Sequence, residues 1–234
     1  MPRPKSWPSP WREALLALPM VLLLLVVWRF VVHAWGQGVE GLGPEPDPTN
    51  RLYEAAAWLS TPAIFLHMLA GAVITLLAPL QLVGGLRRRL PIFHRLSGYI
   101  VVATAVVAAI GGLLYIVLRG TVGGPPMDVA FAGYGLCLLV SAVQAARHAR
   151  AGRLEIHREW ALRTFVLAIG SWLYRLHYGL WYMTTGGLWI EPETFTGAFD
   201  RIQLVAFYVP YLLALELYLR AGRRRQERRA LRLA

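Results

Sequence analysis

Apolar residues in this chain are bunched into long runs rather than alternated. Six segments stand out: about Glu13–Trp35, built around Met20–Val27, then Pro62–Val83, Leu96–Leu118, Val129–Ala146, Trp160–Tyr182 and Ile202–Leu219. Each has roughly 18–23 residues, enough to cross the hydrocarbon layer as a helix rising about 1.5 Å per residue. Membrane-spanning strands would be about half as long and would alternate. In hydrocarbon a segment of this length must satisfy its own backbone, which leaves the helix. The pattern predicts an all-α polytopic membrane protein: one domain over residues 1–234, a bundle of six transmembrane helices, and a basic tail over residues 220–234. The longest polar stretch, Gly36–Ser60, is rich in Gly and Pro and is expected to be a loop. Thr184–Asp200, with Trp189 and Phe195, is expected to lie on the membrane surface.

Composition agrees with this picture. Of 234 residues, 56% are hydrophobic and 16% charged, against about 25% charged in an ordinary globular domain. A soluble enzyme, a disordered chain and a disulfide scaffold are excluded. The single cysteine, Cys137, sits inside an apolar run and has no internal partner. The net charge of +11 does not imply nucleic acid, because the basic residues sit at the ends of apolar runs.

Those residues predict orientation. With the N-terminus inside, the inner side receives Arg3, Lys5, Arg12, Arg87, Arg88, Arg89, Arg95, Arg147, Arg150, Arg153, Arg158, Arg163 and seven arginines from Arg220 to Arg232. The outer side holds only Arg51, Arg119 and Arg201, together with the acids Glu40, Glu45, Asp47, Glu54, Asp128, Glu191, Glu193 and Asp200. Both termini are thus expected in the cytoplasm. No small-x-small site follows the first segment, where residues 32–36 read VHAWG, so it is expected to be an uncleaved anchor. The basic inner face is expected to hold anionic lipid. The tail could instead dock an acidic partner.

The inner loops resemble each other: Arg89-Leu90-Pro91-Ile92-Phe93-His94-Arg95 and Arg153-Leu154-Glu155-Ile156-His157-Arg158. This suggests a repeat in which segments two and three correspond to segments four and five, related by an axis along the membrane normal.

Ionisable residues inside a membrane are costly, so each is a candidate for function. Here they are His67, Arg163, Arg175, His177 and Glu216, with His94 and His157 at the inner edge. His67 and His177 share an outer level, and His94 and His157 an inner one. Two histidine pairs at two depths is the general pattern of a two-haem membrane cytochrome, so haem b is one cofactor the pattern allows. Against it, His157 and His177 are 20 residues apart. On one straight helix that separates them by about 30 Å and turns them by roughly 200°. An outer pair of His67 and His177 survives this objection better than a four-histidine scheme. For each histidine alone, an interfacial or hydrogen-bonded side chain is the plainer account. Gly71, one turn beyond His67, and Gly98 are expected to let a helix or a planar ligand approach closely. Arg163 and Glu216 share a level and are expected to form a buried ion pair, with a proton relay as the alternative. Arg175 is expected to snorkel among Trp172, Tyr174, Tyr178, Trp181 and Tyr182. Pro210 should kink the sixth helix, and Glu155 and Glu159 flank His157. No metal is specified by the pattern. No nucleotide-binding loop, zinc-protease helix or nucleophile elbow is present.

Several blocks carry a family resemblance: Leu66-His67-Met68-Leu69-Ala70-Gly71, Ala78-Pro79-Leu80-Gln81, His94-Arg95-Leu96-Ser97-Gly98-Tyr99-Ile100-Val101 and His157-Arg158-Glu159-Trp160-Ala161-Leu162-Arg163. From His67 to Phe165 the chain resembles a bacterial family of predicted membrane proteins, the domain of unknown function 2306. The resemblance implies a multi-helix integral membrane protein of a bacterial inner membrane and brings no activity. Its motif histidines correspond to His67, His94 and His157; Tyr99 falls a residue or two earlier than in the family form, and His177 has no counterpart. His94-Arg-Leu-Ser-Gly is also similar, in a generic way, to the His-x-x-x-Gly helix entry of b561-type cytochromes.

Three functions remain open at this level. The first is a non-catalytic or regulatory subunit of a membrane complex, with partner membrane subunits. The second is a haem b or quinone-linked redox protein using the motif histidines. The third is a proton-coupled small-solute transporter using His67, Arg163 and Glu216.

Overall fold

Prolines set where two of the long helices begin. A proline at the start of a helix gives up an N–H that the first turn leaves unpaired, and its φ is already helical. Pro91 opens one helix, and Pro125-Pro126 open another behind Gly124. The computed structural model describes residues 10–231. Arg3, Lys5 and Arg232 lie outside them. Among the described residues the order is α1 (Pro10–Gly41), α2 (Ser60–Gln81), α3 (Gly84–Arg89), α4 (Pro91–Arg119), α5 (Pro125–Arg150), α6 (Leu154–Ala168), α7 (Gly170–Thr185), α8 (Ala198–Ala206) and α9 (Val209–Leu231), with no strand. Five stretches are long and apolar enough to cross a membrane: Val21–Gly41, Ser60–Gln81, Pro91–Arg119, Pro125–Arg150 and Ala198–Arg228.

Three boundaries differ from the sequence reading, each for a packing reason. The first helix does not stop at Trp35 but continues through Gly36, Gly38 and Gly41. A side chain at Gly38 would collide with Leu69, and one at Gly41 with the ring of Phe65. These glycines let α1 lie against α2, and Phe65 is fully buried there. Close approach through small residues is how helices associate in lipid, where no hydrophobic force drives them together.

The segment 160–182 is not one helix. It starts earlier, at Leu154, and is interrupted at Ile169, between α6 and α7. Gly170 lies against the Tyr134 ring, where a side chain would meet the Tyr134 hydroxyl at 2.8 Å. The Tyr134 hydroxyl donates to the Leu167 carbonyl. From α2, the Thr75 hydroxyl donates to the Ala168 carbonyl at 3.1 Å. Two neighbouring helices thus supply donors to consecutive carbonyls at the interruption.

The last helix is likewise split, at Phe207–Tyr208, just before Pro210. Proline removes an N–H and crowds the carbonyl one turn back, so the helix breaks on its N-terminal side.

The core runs through the middle of the bundle. Ile74 and Ala78 of α2, Val101, Ala105 and Ala109 of α4, Leu138 and Ala142 of α5, and Leu167 and Ala168 of α6 meet Phe207 and Tyr208. Alanines dominate on α4 and keep it close to its neighbours. Around Phe207 the rings of Phe131, Tyr134 and Tyr174 pack edge-on, with centroids 5.0–5.7 Å apart. A second cluster ties Val27, Val31 and Ala34 of α1 to Ala72 of α2 and Trp172 of α7. Outside the core the bundle is apolar: Leu25, Val117, Val129 and Ile202 are 64–80% exposed. A surface of this kind belongs in lipid.

Candidate functional site

The bundle has two polar ends and a set of polar side chains between them. At one end gather α3 with Arg87, Arg88 and Arg89, the α5–α6 turn, and the basic stretch of α9. The opposite end holds the loops 42–59, 120–124 and 186–197.

His67 bridges α2 and α4. Its Nδ1 lies 2.7 Å from the Ala108 carbonyl. A carbonyl only accepts, so Nδ1 carries the proton and, in the neutral ring, Nε2 keeps its lone pair. Gly111 and Gly112 make room for the ring: a side chain at Gly111 would collide with the Ala63 carbonyl, and one at Gly112 would press on Nδ1 of His67. The expectation that Gly71 admits a close helix is not met within this chain. A side chain there would meet no atom within 4 Å among the described residues. Gly98 does face a neighbour, the Gln81 amide, which in turn donates to Ser97 at 2.7 Å.

His177 turns elsewhere. The Gln203 amide nitrogen is 2.9 Å from its Nδ1, and the Tyr211 hydroxyl is 2.8 Å from its Nε2. Both ring nitrogens are engaged by α8 and α9, while His67 points to α4. The structure therefore does not bring His67 and His177 together as facing ligands, although the sequence places them at one depth. Depth is legible from position along a helix; the direction of a ring depends on which neighbour offers a partner.

At the arginine end, His157 of α6 donates from Nδ1 to the Ala145 carbonyl of α5 at 2.9 Å. It lies within electrostatic reach of His94 of α4 and of His148 of α5. Arg87, Arg147 and Arg153 border the same group. The Nδ1 atoms of His94 and His148 are buried and meet no hydrogen-bond partner among the described residues. His148 escaped the sequence reading because it sits in a basic helix end, where a solvated side chain is the default. Among the described residues, no group of three or more His, Cys, Asp or Glu side chains is placed to hold a metal ion.

Arg163 and Glu216 meet in a two-pronged contact, Nε to Oε1 at 2.6 Å and Nη2 to Oε2 at 3.0 Å. This fork joins α6 to α9 and is the strong form of the arginine–carboxylate bond. Glu159 extends it, 4.0 Å from Arg163 and 3.4 Å from Arg223, and the Trp160 ring lies 4.6 Å from the Arg163 guanidinium. Glu159 thus bonds arginines and not His157.

Two buried polar residues were not foreseen. Asp200 is fully enclosed. It accepts from the Tyr178 hydroxyl at 2.5 Å, the Glu191 N–H at 2.9 Å and the Gly197 N–H at 3.0 Å. This carboxylate pins the loop 186–197 over α7 and caps α8 from its third position. Trp181 stacks on Phe199 beneath it, at 4.7 Å. Trp189 and Phe195 adopt positive φ in that loop, a conformation bulky residues rarely take, so the surrounding contacts must hold them there. Gln203, also buried, links His177 to the Tyr174 carbonyl. A signal was available for Asp200, an acid in the first turn of an apolar helix and so a cap candidate; Gln203, in the middle of α8, carried none.

A family model described as predicted membrane protein (DUF2306) matches residues 64–218. The chain belongs to the DUF2306 family. The match covers more than half of the chain and reaches past the motif blocks to α7, α8 and the first part of α9, taking in His177, Asp200 and Glu216. No curated protein and no solved structure gives a significant match. As a DUF2306 protein with several apolar helices, the chain is an integral, multi-pass membrane protein.

The Arg163–Glu216 fork carries a stability prediction. Arg163→Met and Glu216→Gln should each lower the unfolding free energy in detergent by about 1–3 kcal/mol, because the remaining group loses its charge partner. The double variant should be less destabilised than the sum, with a coupling of about 1 kcal/mol or more by a double-mutant cycle. Additive losses would show that the pair contributes nothing.

Proposed function

We propose that this DUF2306 protein spans the bacterial inner membrane six times, with both termini in the cytoplasm, and serves as a non-catalytic component of a membrane complex. The observation that carries this reading is where its intramembrane polar side chains are engaged. Arg163 holds Glu216, His177 holds Gln203 and Tyr211, and Thr75 and Tyr134 hold the carbonyls at the α6–α7 interruption. These bonds join helices to one another. In the six-span arrangement α6 and α7 together form the fifth crossing and α8 with α9 the sixth. The arginine end then faces the cytosol, as the positive-inside bias requires, and the basic stretch of α9 lies against anionic lipid.

Orientation has a direct test. In a Cys137→Ser background, single cysteines at Gly152 and Gly222 should resist an impermeant maleimide in right-side-out vesicles and react after permeabilisation. Cysteines at Glu45 and Glu193 should react at once. The reverse pattern overturns the orientation.

A second reading has an observation of its own. His67 and His157 both donate from Nδ1 to a backbone carbonyl, which leaves Nε2 as the lone-pair nitrogen. Histidines that ligate iron or another metal are oriented in this way, and His94 stands near His157. This supports a haem b-binding protein. The two readings part in an absorption spectrum of the protein purified from its native membrane. The non-catalytic reading predicts no Soret band and a stoichiometric partner polypeptide in native mass spectrometry. A Soret band lost in both His94→Ala and His157→Ala would replace it with the second.

A further inference from the structure

Arg175 carries a charge with no counter-charge among the described residues. Its guanidinium donates to the Ser171 carbonyl at 3.1 Å and lies 4.9 Å from the Phe30 ring of α1. No carboxylate among the described residues pairs with it. A lone arginine at this depth is costly, and such residues mark sites that receive a partner.

The packing fixes what stands opposite. Thr75 of α2 is bonded to Ala168 at the α6–α7 interruption, and Ala72 packs with Trp172. Positions that fall along α2 rise along α7, so the two run antiparallel. His67 is eight residues before Thr75 and Arg175 is seven residues after Ala168. Both therefore move roughly 10–12 Å toward the same end of the bundle and arrive at one level. The charge of Arg175 acts on His67 and on Tyr134, consistent with that placement. His67 offers Nε2, because Nδ1 is committed to Ala108. One turn along the same face of α2, Gly71 opens onto space that no described atom fills within 4 Å. A cationic donor, a lone-pair acceptor and an unfilled face thus share one level, between helices that other contacts hold in place.

We propose that Arg175 and His67, with the space beside Gly71, form an intramembrane binding site for a carboxyl group. A carboxyl supplies what each residue lacks: one oxygen accepts from the guanidinium, and the proton of the other is shared with Nε2. No bond beyond that O–H is involved. The carboxyl comes either from a fatty acid dissolved in the bilayer or from a small carboxylate in water. The site is independent of whether the protein is a subunit of a larger complex.

The test uses the full chain in nanodiscs of zwitterionic phosphatidylcholine, with carboxyl-13C palmitate and carboxyl-13C acetate as probes. A separate bound carboxyl resonance should appear and saturate near roughly one per chain. With palmitate alone the source is the bilayer; with acetate as well, the source includes water; both outcomes support the site. Arg175→Gln should weaken binding about tenfold or more, as loss of a charge-assisted bond implies. Gly71→Leu fills the open face without touching either polar residue and should also abolish the bound resonance. His67→Gln should weaken it while leaving helicity by circular dichroism unchanged. No saturable resonance with either probe overturns the proposal. So does a resonance retained in both Arg175→Gln and Gly71→Leu.

Discussion

Hydrocarbon offers no water to a carbonyl that its own helix does not satisfy, and this constraint organises the molecule. The helix that begins at Leu154 is interrupted at Ile169, next to the Gly170 that lets the Tyr134 ring press in. Tyr134 of α5 and Thr75 of α2 donate to Leu167 and Ala168 at that point. One irregularity in one helix therefore fixes the positions of two others. The aromatic cluster around Phe207 packs on the same side, so the second interruption, before Pro210, is joined to the first. The same rule acts at the bundle's less basic end, where Asp200 takes backbone N–H groups that the loop 186–197 and α8 would leave open.

Charge is handled by pairing within the spans and by position at the ends. Arg163 and Glu216 neutralise each other across α6 and α9. Most other arginines lie at one end, where headgroups and water can reach them. Arg175, within the bundle, is engaged among the described residues by a carbonyl and a ring and by no carboxylate, and for that reason it points to something those residues do not provide.

The sequence made the helices legible because length and hydropathy are properties of single segments. It also placed Arg163 and Glu216 at one level, since depth follows from counting residues. Glycines 38 and 41 were harder: low helix propensity suggested a loop, but contact with Leu69 and Phe65 extends α1 through them. The interruption at Ile169 was not visible, because it is made by Tyr134 and Thr75, residues 35 and 94 positions away. Ring direction was equally hidden. His67 and His177 share a depth, yet one bonds α4 and the other α8 and α9. Asp200 resembled one more acid in a polar loop until its three donors were seen around it.

The measurement closest to the central claim is the infrared carbonyl stretch of Leu167, isolated by a 13C=18O label in the full-length protein in a bilayer. If Tyr134 donates to that carbonyl across the bundle, Tyr134→Phe should move the band to higher frequency, and a label at Leu25, exposed on α1 and outside the core cluster that holds Leu167, should not respond. An unchanged Leu167 band in Tyr134→Phe would contradict the account that side chains of neighbouring helices hold the broken helix in place.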